Sequence, residues 1–208
     1  MEFVLVVPRD EVFEGFYPQG LSLEGEVDTK GLLARARERS FFIERRKAET
    51  DPGLKQLIPY CLVLHPNSRS IFLMKRLPAQ GEARLHGKLS VGVGGHINPP
   101  DQEGGRDPIE GGLRRELEEE VVLQGEERVD FLGILNDDSN PVGAVHLGLV
   151  HVLILGPSGT VRVRETHAIE GSLQPLEEVR QMWQNPGGFE TWSEAVLERS
   201  SEWCDRFF

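Results

Sequence analysis

Residues 107–121 read DPIEGGLRRELEEEV, and this stretch decides both the fold class and the chemistry to look for. Asp107 is a good N-cap, Pro108 suits the first helical position, and Glu110 completes a reciprocal cap. Ile109, Leu113, Leu117 and Val121 recur every four residues, giving one apolar stripe that can pack on a sheet. Gly111 and Gly112 each cost a helix about 1 kcal/mol against alanine, so a strand or a ligand is expected to approach closely there. The other face carries Glu116, Glu119 and Glu120 at i, i+3 and i+4, with Glu118 pointing elsewhere. Like charges at that spacing destabilise a helix, and the macrodipole disfavours anions in its C-terminal half. A bound cation removes both penalties. Mg2+ is the natural choice, because it prefers oxygen ligands and lets substrate phosphate and water complete its octahedron. Arg115, four residues before Glu119, can orient that carboxylate. The plain alternative is a solvated acidic face with no ligand.

Upstream, Lys88 to Ile97 (KLSVGVGGHI) alternates like a strand and runs into paired glycines, followed by a Pro/Gly/Asp-rich loop over 98–106. Tyr60 to His65 and Ile71 to Lys75 read as a hairpin about Pro66-Asn67-Ser68. Phe3 to Val7 reads as a strand, Lys30 to Arg39 as a helix, and Phe41 to Arg46 as mixed. Downstream, strands are expected at 128–135 and 144–155, with a turn over 136–141 and a half-wet strand about Val161 and Val163. Leu176, Val179 and Trp183 begin a helix that Pro186-Gly187-Gly188 stops. Phe189, Trp192, Val196 and Trp203 continue at helical spacing, with Thr191 and Glu194 as a capping box and the tryptophans as core anchors. Strands dominate the middle and helices punctuate it, so the class is α+β or mixed α/β.

The 208 residues suit one large domain, or a domain with an extension. A net charge of −11 argues against nucleic acid as the main partner, but not against a phosphorylated small molecule bound through a metal. No apolar run reaches the ~20 residues of a membrane span, and the N-terminus lacks a leader pattern. Cys61 and Cys204 lie in apolar surroundings without a metal-binding spacing. Reduced cysteines and a cytoplasmic location are expected.

The helix and the glycines before it resemble the Nudix hydrolase family. Its box reads G-x5-E-x7-R-E-U-x-E-E-x-G-U, with U a bulky aliphatic residue. Residues 115–120, RELEEE, match R-E-U-x-E-E throughout, and Gly94-Gly95-His96-Ile97 resembles the glycine start. Asp107 stands at the E-x7-R position. Gly95 to Asp107 is then 12 positions where the pattern has 6, so the loop is six residues longer. Asp101 keeps the first spacing but leaves Arg115 14 positions on where the pattern has 8. Val122 replaces the closing glycine, and a β-branched residue is poor in a left-handed cap. Either the helix ends without that turn or it runs on towards Gly125. Residues 55–60, KQLIPY, resemble the end of an N-terminal extension in a bacterial branch described as predicted phosphoesterases.

The resemblance implies a Nudix-type αβα sandwich with a mixed central sheet, residues 57–208 forming the hydrolase domain and 1–56 an N-terminal extension packed on it. It implies a metal-dependent pyrophosphohydrolase that splits a diphosphate linkage in a nucleoside-diphosphate-linked or related small molecule. Gly95, Glu116, Glu119 and Glu120 would hold Mg2+, with Mn2+ as a substitute. Glu119, Arg115 and Glu116 form the catalytic set, with Glu119 the first choice of base and Glu165 and Glu170 as downstream candidates. Arg76 (with Lys75) and His96 are expected to touch substrate, His86 could line the site, and His146 with His151 lacks a zinc arrangement. The extension is open to capping the pocket, building a homodimer, or neither. A non-catalytic Nudix-fold sensor and an isopentenyl-diphosphate isomerase-like enzyme are the rivals, the latter needing an active-site cysteine. A third rival is a plain acidic interaction protein.

Overall fold

The structure is a computed structural model that describes residues 1–77, 87–164, 169–185 and 187–208, and of Arg76 the backbone alone. In chain order its elements are β1 (Phe3–Pro8), α1 (Arg9–Phe13), β2 (Gly20–Leu23), α2 (Thr29–Arg39), β3 (Phe41–Glu44), α3 (Arg45–Ala48), β4 (Leu54–His65), β5 (Ser70–Arg76), β6 (Leu89–Ser90), β7 (Gly92–Gly94), α4 (Pro108–Glu120), β8 (Val121–Gln124), β9 (Glu127–Asn136), β10 (His146–Leu155), β11 (Thr160–Val163), β12 (Ile169–Pro175), α5 (Leu176–Trp183), α6 (Thr191–Glu198) and α7 (Ser200–Phe207). Short 3-10 turns lie at Pro66–Ser68, Pro99–Gly105 and Gly143–Val145. Helices and strands interleave, giving the mixed α/β class expected from the pattern. Two compact units divide the chain.

The first unit comprises Met1–Tyr60, Gly94–Arg115 and Phe131–Val150. Here β1 lies antiparallel between β3 and the start of β4, with Val4 opposite Ile43 and Val6 opposite Gln56. Successive strand residues face opposite ways. Leu5 and Val7 therefore enter a core with Val12, Phe13, Leu57, Ile97, Ile109 and Leu149, while Val4 and Val6 pack with Ala48 on the other side. Burial on both faces explains why β1 is an unbroken apolar run. β2 pairs antiparallel with β9, Leu21 opposite Leu135. Asp28 caps α2 by accepting from the Gly31 amide at 2.9 Å, so that helix starts at Thr29.

The second unit comprises Cys61–Val93, Glu116–Asp130 and His151–Phe208. β5 is antiparallel to β12, to the end of β4 and to β6. The hairpin at Pro66–Ser68 is as expected. The strand expected through residues 88–97 instead breaks at Val91, whose amide donates to Ser193 Oγ at 3.0 Å. A side chain has taken the bond a ladder would use. β10 begins at His146, because Ala144 belongs to the preceding 3-10 turn.

Two helix ends differ from the sequence reading. Glu190, not Thr191, is the extended N-cap residue of α6, and no side-chain cap bond forms, so the Thr191–Glu194 capping box is absent. The backbone leaves helical geometry at Arg199, separating α6 from α7. Trp203 is buried and donates Nε1–H to the Val196 carbonyl at 3.0 Å, a core anchor as expected. Among the described residues no helix is long and apolar enough to cross a membrane.

Candidate active site

The stripe on α4 is buried throughout: Ile109, Leu113 and Leu117 are each 3% exposed or less, and Val121 follows at 1%. What approaches the two glycines is the turn before the helix. A Cβ on Gly111 would stand 2.0 Å from the Asp101 carbonyl oxygen, and one on Gly112 2.9 Å from Ile97 Cγ1. Glycine is thus required by close packing of the 97–101 segment, which offsets its cost to the helix.

That packing brings Asp101 to Arg115. Asp101 Oδ1 accepts from Arg115 Nε at 2.9 Å, and Oδ2 from Nη2 at 3.2 Å. The Asn98 amide also donates to Oδ2 at 2.8 Å, and Asp101 is only 4% exposed. Arg115 Nη2 donates as well to the His96 carbonyl at 2.6 Å. The guanidinium therefore ties the glycine turn to the helix. Asp107, assigned by spacing to the acidic position of the box, does something else. It accepts from the Ile109 amide at 3.0 Å and from Arg37 Nε at 2.7 Å, acting as helix cap and surface partner. Asp101, which keeps the first spacing, is the carboxylate that reaches Arg115, and the 3-10 turn that holds it runs on to Gly105.

The far end of α4 resolves the missing closing glycine. The helix stops at Glu120 and Val121 already starts β8, with Val122 opposite Arg162. A strand suits a β-branched residue. The left-handed turn is made later by Gly125, at φ 96°.

His96 continues from the glycine turn. Its Nε2 lies 3.3 Å from His146 Nε2, and His146 Nδ1 lies 2.6 Å from the Val142 carbonyl. The loop between β9 and β10 is cross-braced. Asp137 accepts from the Ser139 amide and Asn140 Nδ2, and Asn140 Oδ1 accepts from the Val142 and Gly143 amides. Asp138 joins Lys55 Nζ at 2.7 Å, Arg9 Nη2 at 2.7 Å and Gln19 Nε2 at 2.7 Å. Burial alone would raise the Asp138 carboxyl, yet hydrogen bonds from Lys55, Gln19 and Asn136 and the Lys55 charge hold it below its ordinary value. Lys55 is fully buried, and burial pushes its ammonium down despite the Asp138 partner. Neither Lys55 nor Asp138 carries a site motif in the sequence, and the visible signal is a lysine and a glutamine opening an apolar strand. For His146 the sequence offers only a zinc reading, which its placement with His151 does not support.

In the second unit Glu116 and Glu120 are half-buried and Glu119 is exposed. Glu120 Oε2 is a buried oxygen. Among the described residues no group of three or more His, Cys, Asp or Glu side chains stands ready to close around a cation. Mg2+ does not require one, since it keeps several waters and uses one or two carboxylates plus substrate phosphates. The hard oxygen donors of this helix face fit such an ion. Glu170 lies on β12 opposite Lys75. The backbone of Arg76 pairs with Ile169, but its side chain, His86 and Glu165 lie outside the described residues. Cys61 is fully buried on β4.

The NUDIX domain model matches residues 55–193. Protein YmaB of Bacillus subtilis (strain 168) is 36% identical over 204 residues, spanning 95% of this chain and 96% of its own. The crystal structure of Tm1382, a candidate Nudix hydrolase, aligns with a TM-score of 0.76 at 29% identity, covering 95% of this chain and 97% of that one.

Proposed function

We propose, from the premise that this chain belongs to the Nudix family and is a pyrophosphohydrolase, that it uses Mg2+ and water to cleave a nucleoside-diphosphate-linked or related small molecule. The observation that carries this reading is the intact RELEEE sequence on α4, with its arginine already bonded to Asp101 and to the glycine turn. By the motif, Glu116, Glu119, Glu120 and the Gly95 carbonyl would hold the cation, and Mn2+ would substitute. When bound, a divalent ion neutralises charge on the diphosphate oxygens and lowers the pKa of water.

The side chains have the following parts. Glu119 takes the proton of the attacking water as its oxygen bonds to phosphorus and the bridging P–O bond breaks, leaving two phosphate-ended products. Glu116 adds negative charge where the cation sits. Arg115 positions the helix against the glycine turn, and Arg76 contacts the substrate phosphates. Phosphoryl transfer asks chiefly for positioning and charge neutralisation, which this set supplies. Glu170 and Glu165 are the reserve bases.

Residues 57–208 form the hydrolase domain and 1–56 its extension. The net charge of −11 favours a small phosphorylated partner over nucleic acid, and two buried free thiols suit the cytoplasm. Homodimerisation through the extension is one arrangement consistent with this reading. The full burial of Cys61 argues against an isomerase that needs a reactive cysteine. The test is chromatographic detection of the two phosphate-ended products, with Mg2+ or Mn2+, from nucleoside triphosphates, dinucleoside polyphosphates, nucleotide sugars, ADP-ribose, NADH and coenzyme A. Metal-dependent hydrolysis of one class supports the reading and names the substrate. Tight binding of a diphosphate without turnover would replace it with a sensor.

A further inference from the structure

With both rings neutral, the contacts joining Val142, His146 and His96 run in one direction. A carbonyl oxygen only accepts, so the His146 Nδ1 at 2.6 Å from the Val142 oxygen carries a proton. Neutral His146 then has its lone pair on Nε2, and His96 Nε2, 3.3 Å away, must be the donor. His96 is left with its lone pair on Nδ1. Its main-chain carbonyl meanwhile accepts from Arg115 Nη2 at 2.6 Å. Ring and backbone of His96 are thus held from two directions, and the peptide plane joining it to Gly95 carries the Gly95 carbonyl.

We propose that His146 is a positioning residue for diphosphate hydrolysis, acting through His96 to fix the peptide plane that presents the Gly95 carbonyl. This rests on the functional reading above. The loop supplying the Val142 carbonyl is suited to the task. Asp137 accepts from the Ser139 amide at 3.0 Å and Asn140 Nδ2 at 2.8 Å, while Asn140 Oδ1 takes the Val142 and Gly143 amides at 3.1 and 2.9 Å. Asp138 in the same loop is pinned by Lys55, Arg9 and Gln19, all from the first 60 residues. So many bonds confine the Val142 oxygen to a narrow position, which is what selecting one imidazole tautomer requires. The N-terminal segment thereby braces the same loop that supplies the Val142 carbonyl, Lys55 Nζ also donating to the Gly143 carbonyl at 3.0 Å.

Two variants and one spectroscopic readout test this. In metal-free protein, at a pH where both rings are neutral, 15N–1H long-range correlations should find His146 as the Nδ1–H tautomer and His96 as the Nε2–H tautomer. His146→Leu removes the acceptor; in His146→Gln the amide oxygen stands where Nε2 stood. The leucine variant should lose about 10–100-fold in kcat, the range typical of residues that orient a ligand, with KM and melting temperature little changed. The glutamine variant should recover most of that loss. Wild-type kcat in His146→Leu, an Nε2–H tautomer at His146, or equal impairment of both variants would overturn the proposal. Activity with the wrong tautomer would defeat the relay alone. An inactive wild type with the expected tautomers would defeat the functional reading while the relay stood.

Discussion

Gly111→Ala offers a sharp test of how the glycine turn is seated on α4, because two effects of known sign oppose each other. Alanine in place of glycine should stabilise a helix interior by about 1 kcal/mol. The new Cβ, however, would stand 2.0 Å from the Asp101 carbonyl oxygen, where ordinary contact begins at 3.4 Å. The obstacle is backbone, so the turn must retreat by roughly 1.4 Å, the difference of those two distances. A retreat of that size stretches the 2.9 Å bond from Arg115 to Asp101 beyond hydrogen-bond range. Overpacking costs about 1–3 kcal/mol, and breaking a buried ion pair about 3–5 kcal/mol if broken fully. With partial relaxation the net loss should be about 2–5 kcal/mol, or roughly 5–15 °C in melting temperature for a chain of this length. Gly112→Ala is the comparison: its Cβ would stand 2.9 Å from Ile97 Cγ1 and 3.3 Å from Asp101 Oδ2, side chains rather than backbone, and it should cost less than Gly111→Ala. Thermal unfolding followed by circular dichroism reads both. A Gly111→Ala protein as stable as the wild type would refute the packing of Asp101 on this helix.

Other perturbations have equally definite signs. The folded Asp138 carboxyl lies below its ordinary value of 3.8, so its contribution is present above that pH and is lost as pH falls through the folded value. Asp138→Asn should therefore flatten the acid limb of the melting-temperature profile, and an unchanged limb would contradict the ion-pair hub. Lys55→Met leaves Asp138 without its buried partner and should cost about 3–5 kcal/mol in urea unfolding; a loss under 1 kcal/mol would show that the hub is not cohesive. Burial pushes the Cys204 thiol to about 11, and Cys61 is fully buried, so native protein should react with a thiol reagent far more slowly than denatured protein. Rapid labelling of the native protein would contradict that burial.

Much of the chain was legible because its signals are local. The four-residue apolar period of α4, the Pro66–Ser68 turn and the apolar runs of β4, β5, β9 and β10 come from patterns that neighbouring residues impose on one another. The elements missed, α1, β2, β8 and β12, are short, and their places depend on distant partners: Leu21 faces Leu135, and Ile169 faces Arg76. The candidate site divides in the same way. The glutamates are visible as i, i+3 and i+4 on one helix. The bond from Arg115 to Asp101 is not, because two spacings compete in the sequence and the contact depends on the close approach of the turn to Gly111. His146 carries no motif at all. Its position comes from a loop whose bonds run through Lys55, 83 positions before Asp138.

The central claim is hydrolysis by the acidic face of α4. The most direct measurement is Mg2+-dependent turnover of the best substrate from the panel by wild-type protein and by Glu119→Gln, with melting temperatures recorded beside it. The account predicts a loss of orders of magnitude in kcat with an unchanged fold, since Glu119 is exposed and glutamine keeps its size. Wild-type turnover in the folded variant would contradict it.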